Sequence, residues 1–154
     1  MRIRGTSAVI IDSMSTRTVT RSIESDLEPE IILTVLNDPA RIPEWAPVFA
    51  DKIEHTAQSG WRITKGGDSF NVQINVSTVA GTVDFLREMA GGKRGGAYAR
   101  VFPRPLGGSV VVMTVPLAPG SDTQEVAGVL EQELTALVAL SEKRNQSRDR
   151  RIAV

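Results

Sequence analysis

Between Phe70 and Ser77, apolar and polar residues alternate without a break. Phe70, Val72, Ile74 and Val76 fall on one side; Asn71, Gln73, Asn75 and Ser77 fall on the other. A period of two belongs to an extended strand, because successive side chains point to opposite faces of the sheet. A strand of this kind covers a core with one face and meets water with the other, as strands of antiparallel sheets do. The rest of the chain must then supply strands to pair with it and a separate element to cover the apolar face.

Partner strands are legible on both sides. Thr18–Glu24 is rich in β-branched residues, and Val48–Thr56, Trp61–Thr64, Thr82–Met89, Ala97–Phe102 and Ser109–Val115 read as further strands. Turn sequences stand between them: Gln58-Ser59-Gly60, Lys65-Gly66-Gly67-Asp68, Gly91-Gly92-Lys93-Arg94-Gly95-Gly96 and Gly107-Gly108. Links this short join antiparallel neighbours, so the chain from Val48 onward reads as a meander. One helical interruption precedes it. Ser25, Asp26, Glu28, Pro29 and Glu30 carry the acids, first-turn proline and capping-box spacing of a helix start, and Ile31–Leu36 supplies the apolar run. Asn37-Asp38-Pro39 stops that helix. Ala40–Trp45, closed by Pro43 and Pro47, reads as a second short helix or turn.

The cover stands near the C-terminus. Val126, Leu130, Leu134, Leu137, Val138 and Ser141 follow the helical period, and Ser121 or Asp122 is placed to cap the helix. Glu125, Glu131, Glu133 and Glu142 are assigned to positions largely off this stripe. From about Asp122 to Arg144 the helix would be roughly 34 Å long at about 1.5 Å per residue. Strands of about eight to ten residues reach roughly 26–33 Å. Such a helix spans the concave face of a curved sheet.

Composition narrows the functional classes. The 154 residues hold 18 basic and 18 acidic side chains, no cysteine and one histidine, His55. Zero net charge gives no global attraction to nucleic acid or an anionic membrane. The absence of cysteine removes disulfides, thiolate nucleophiles and Cys-based metal sites, and one histidine makes a poor zinc or iron site. No apolar run approaches the roughly 18 residues that cross a bilayer, and Ser7–Ile11 is too short for a signal-peptide core. No Gly-x-Ser-x-Gly elbow and no phosphate loop are present. The expectation is a cytoplasmic protein without metal or cofactor, without a nucleic-acid partner and without membrane insertion, with a homodimer possible. Residues 1–16 read as a flexible arm, 17–144 as the folded domain and 145–154 as a basic tail.

The order is strand, two short helices, six strands and a long C-terminal helix. With Glu28-Pro29-Glu30, Leu36-Asn37-Asp38-Pro39, Ile42-Pro43-Glu44-Trp45 and the Gly107-Gly108 turn, it resembles the helix-grip fold of the SRPBCC superfamily. That superfamily includes START lipid-transfer domains, birch-pollen-allergen-like proteins and the polyketide cyclase/dehydrase family. The segment before Trp45 looks like the "dp…lp.W.p" stretch of bacterial cyclase/dehydrase-like members. The resemblance covers about residues 17–144. It implies an α+β fold: a curved antiparallel seven-stranded sheet wrapped around the long helix, with two short helices after the first strand.

A sheet gripping a helix leaves a gap, and small side chains along it would turn the gap into a mostly apolar pocket. The expected lining is Trp45, Phe49, Trp61, Phe70, Val72, Ile74, Phe85, Met113, Leu130, Leu134 and Leu137. Ala97, Ala99 and Gly128 mark missing volume. With seven aromatic residues in the chain, a small or aliphatic-lined cavity is expected. Three functions fit this plan. The first is binding of a small hydrophobic molecule, lipid- or polyketide-like. The second is a cofactor-independent cyclase or dehydratase using the same cavity, with His55, Arg100 or Asp84 as acid, base or oxyanion partner, and Arg87 as a further charged candidate. The third is a non-catalytic interaction module with a filled core.

Overall fold

The computed structural model describes residues 17–58, 60–92 and 94–153. Its strands are β1 (Thr18–Ser25), β2 (Lys52–His55), β3 (Trp61–Lys65), β4 (Asp68–Ser77), β5 (Thr82–Glu88), β6 (Arg94–Pro103) and β7 (Ser109–Pro116). After β1 come helix α1 (Pro29–Leu36), a 3-10 turn at Pro39–Arg41 and helix α2 (Ile42–Trp45); α3 (Thr123–Ile152) follows β7. The strands form one antiparallel sheet in the order β1-β7-β6-β5-β4-β3-β2. This is the helix-grip arrangement: an unbroken meander from β2 to β7, with β1 added beside the last strand.

The inner face follows from the alternation. Val19, Ile63, Val72, Val83, Phe85, Ala99, Val101, Val111 and Met113 are buried on the sheet. Ile32, Leu33, Val35 and Leu36 of α1 and Leu130, Leu134, Leu137 and Val138 of α3 are buried above it. Two serine hydroxyls taken into this core are satisfied. Ser109 Oγ donates to Leu27 O at 2.8 Å, and Ser141 Oγ donates to Leu137 O at 2.7 Å. Asp122 caps α3, accepting from the amides of Gln124 and Glu125 at 2.9 and 3.3 Å. Arg21 of β1 reaches Glu131 of α3 at 3.1 Å.

Four local expectations change. The capping box before α1 does not form. Glu28 is the N-cap, but its carboxylate accepts from the Gly108 amide at 3.1 Å, while Ser25 Oγ accepts from Leu27 N. The acid thus ties the β6–β7 turn to the start of α1. The second strand is shorter than Val48–Thr56, because the Phe49 and Ala50 amides both bond back to Ala46 O at 3.1 Å and keep the backbone coiled. The Gly91–Gly96 turn is also shorter than expected: Gly95 and Gly96 already pair with Arg87 and Leu86 inside β6. Finally, α3 continues to Ile152, so 145–152 is helix rather than tail. The apolar stripe ends near Ser141, but Lys, Arg and Gln are good helix formers, and Arg150 and Arg151 in the last turn suit the negative end of the helix dipole. The expected arm at 1–16 lies outside the described residues, as do Ser59 and Lys93 of two expected turns.

Candidate functional site

The inner row of β6 carries little bulk: Gly95, Ala97 and Ala99 stand opposite Arg87, Phe85 and Val83 of β5. Gly96 (φ +147°) approaches β5 so closely that a Cβ there would overlap the Phe85 carbonyl. Above this row passes the N-terminal half of α3. Between the two layers lies a cavity of about 500 Å³. Its floor is Phe85, Arg87, Gly95, Gly96, Ala97, Met113 and Val115; its roof is Val126, Val129, Leu130 and Glu133; Ile42, Trp45, Ala46 and Phe49 wall one side. Met89 and Arg94 beside the β5–β6 turn, Val48, and Pro116–Pro119 complete the lining. Val48 and Met89 are exposed and mark the opening to solvent.

Aromatic packing holds the side wall. The Trp45 and Phe85 rings lie 5.9 Å apart, tilted, and Phe49 meets Phe70 edge-on at 5.5 Å. Arg87 stands over the Phe70 ring, its guanidinium carbon 3.8 Å from the centroid. Arg87 Nε and Trp45 Nε1 are buried without a hydrogen-bond partner among the described residues. Across the cavity, burial pushes the Glu133 carboxyl from its ordinary 4.5 up to about 7. Arg87 and Glu133 therefore stand on opposite walls of an apolar chamber, one on the sheet and one on the helix.

Of the residues expected to line a pocket, Trp45, Phe49, Phe85, Met113 and Leu130 border the cavity. The others do not. Val72, Leu134 and Leu137 are fully packed core, and Phe70 and Ile74 are packed against that core. Trp61 stands toward the outer end of the sheet on β3, where His55 packs edge-on against it at 4.8 Å. Ala97 borders the gap as expected, whereas Ala99 is buried core and Gly128 lies off the lining.

The three ionisable candidates lie elsewhere. His55 shares a cross-strand row with Trp61, Val72 and Arg87. It is exposed on edge strand β2, three strand spacings (roughly 14 Å) from β5. Asp84 pairs with Asn75 and Tyr98, and Arg100 with Thr82 and Val112, on the opposite face of the sheet from the cavity. Arg87 does border the cavity, because it alternates in phase with Val83 and Phe85. Glu133 corrects the helix reading. It lies seven residues after Val126, three after Leu130 and four before Leu137, so it belongs on the apolar stripe. That spacing was the available signal, and the assumption that a glutamate faces water hid it.

No family model matches the sequence, and no curated protein matches it. Solved structures do share its fold. A START superfamily protein from Mycobacterium smegmatis superposes with a TM-score of 0.61 at 14% identity, over 82% of this chain and 98% of that one. The ZhuI aromatase/cyclase from Streptomyces sp. R1128 gives 0.57 at 16% identity, over 83% and 94%. Protein MLL2253 from Mesorhizobium loti gives 0.60 at 18% identity, over 82% and 98%. The chain therefore has the helix-grip fold, which it shares with these START superfamily and aromatase/cyclase structures.

Proposed function

We propose that this protein binds a small hydrophobic molecule, lipid- or polyketide-like, between the sheet and α3. The observation that carries the reading is the cavity of about 500 Å³, walled mostly by aliphatic and aromatic side chains with a few polar groups. Ligand sites have this make-up and size. A filled-core interaction module predicts no such space. Native mass spectrometry tests the reading: excess mass lost on denaturation, or acquired on incubation with lipids and aromatic polyketides, is the expected result. A bare-chain mass throughout would sink it.

A cyclase or dehydratase using the same cavity is the second reading. The presence of Arg87 and Glu133 on facing walls favours it, since a guanidinium can stabilise an enolate oxygen and a carboxyl titrating near neutrality can exchange a proton. On this reading His55, Asp84 and Arg100 take no part. Turnover of a polyketide-like substrate, lost in Arg87→Ala while binding persists, would distinguish enzyme from carrier.

A further inference from the structure

Arg21, Arg41, Arg104 and Arg144 each meet a carboxylate of the fold. Arg87, which borders the cavity, meets none among the described residues. Its cross-strand neighbours are Val72 and Gly95, which offer no charge. Its Nε is buried without an acceptor, and its guanidinium carbon stands 3.8 Å from the Phe70 ring centroid. A ring face attracts a cation but carries no net charge to neutralise it. The acid in the same lining is Glu133, whose carboxyl keeps its proton up to about 7 by burial, so near pH 6 it supplies no counter-charge. Arg94, exposed beside the β5–β6 turn, adds a second positive charge. Below neutrality the cavity wall is therefore cationic.

We infer that Arg87 anchors the anionic end of an apolar ligand, a carboxylate, inside the cavity. The inference rests on the cavity being the binding site and adds the chemical class of its ligand. An ion pair formed out of water costs the desolvation of both partners. Here the Arg87 Nε has left water in the free protein, and the Phe70 ring holds the guanidinium in place. Part of the desolvation and ordering cost thus falls on folding rather than on binding. A planar guanidinium matches a planar carboxylate, which can accept two parallel N–H groups. A carboxylate brings one charge to one guanidinium, whereas a phosphate monoester would bring nearly two into a largely apolar lining. A cationic ligand would meet both arginines. A protonated Glu133 does not repel the anion.

The test uses three molecules of one shape and different charge: 2-naphthoate, 2-naphthamide and 2-naphthamidine. Each is titrated into the full chain at pH 6, with binding followed by calorimetry. The wild type should prefer the anion to the neutral amide by about tenfold, the margin between a charge-assisted and a neutral hydrogen bond. It should bind the cation most weakly. Arg87→Gln keeps a polar side chain without the charge and should bind anion and amide within about twofold of each other. Its amide affinity should stay near that of the wild type, which shows the cavity intact. Arg94→Gln, at an exposed position, should keep the preference for the anion. Amide bound as tightly as anion by the wild type, or a preference that survives in Arg87→Gln, overturns the role of Arg87 and leaves the cavity reading in place. If Arg87→Gln does not fold, Arg94→Gln decides: a preference lost there assigns the charge to Arg94 and overturns the inference. If the wild type binds none of the three, the cavity reading fails for this class and the inference fails with it.

Discussion

Glu133 couples the cavity to the stability of the fold. In the unfolded chain its carboxyl ionises near 4.5, whereas in the fold it holds its proton to about 7. Between these values the folded state binds more protons than the unfolded state, so stability should fall as pH rises through this window and level off above it. The span corresponds to about 3 kcal/mol at most, at about 1.4 kcal/mol per pH unit. Asp51 acts in the opposite sense and at lower pH. The hydrogen bond from Lys65, then that from the Gly66 amide, holds its carboxyl below the ordinary value, so its contribution is lost as pH falls. Urea denaturation of Glu133→Gln at pH 5 and pH 8 should show a markedly smaller difference than the wild type. An unchanged slope would mean the carboxyl is ordinary. Gly96→Ala is a second residue-level test. With φ at +147° and the Phe85 carbonyl where a methyl would go, the substitution should cost about 2–4 kcal/mol by urea denaturation, the range of backbone strain combined with overpacking. At this scale Glu133 was legible from its spacing, and Arg87 from its phase with Val83 and Phe85. His55 was not, because strand parity does not say how far along the row the cavity reaches.

At the scale of elements, α3 does two jobs with its two halves. Its N-terminal half roofs the cavity with Val126, Val129, Leu130 and Glu133. Leu134, Leu137, Val138 and Ser141 then bury it in the solid core. Beyond Ser141 no residue of the helix is buried. Asp122→Ala should therefore destabilise the fold by about 1 kcal/mol through two lost amide bonds, read as a lowered urea midpoint with an unchanged slope. A chain ending at Asn145 should remain within about 1 kcal/mol of the full chain by the same measure, since the removed turns are exposed. The strand set, the two short helices and the helix start at Asp122 were legible from period, proline and capping residues. The helix end was not, because apolar periodicity stops where burial stops and helical backbone does not. The β2 boundary was missed for a related reason: the Phe49 and Ala50 amides choose between a coil and a ladder through bonds to Ala46 that no residue pattern encodes.

Across the whole molecule, cavity and core are one apolar volume divided by side-chain size. Over Phe85 the layers stand apart because Gly95, Gly96 and Ala97 supply no bulk; farther along, Val101, Val111 and Leu137 close the space. Ala97→Leu should therefore fill the chamber, lowering ligand affinity at least about tenfold while leaving the urea midpoint unchanged or raised. Leu137→Ala, in the closed part, should do the reverse. It should cost about 2–5 kcal/mol and leave binding by the remaining folded protein near wild type. If both variants lost binding and stability together, the division would be wrong. The amino-acid sequence determined the elements and their order, since period two, turn residues, prolines and caps act over a few residues, and short links leave antiparallel pairing as the geometry that closes. It also determined the curved sheet with its helix, because one amphipathic stripe had one apolar face to cover. Which inner-face residues border a void was decided only in the tertiary structure. Packing is a property of facing pairs from distant strands, and Arg87 beside Gly95, or Phe85 beneath α3, become neighbours only when register, twist and helix position are all set.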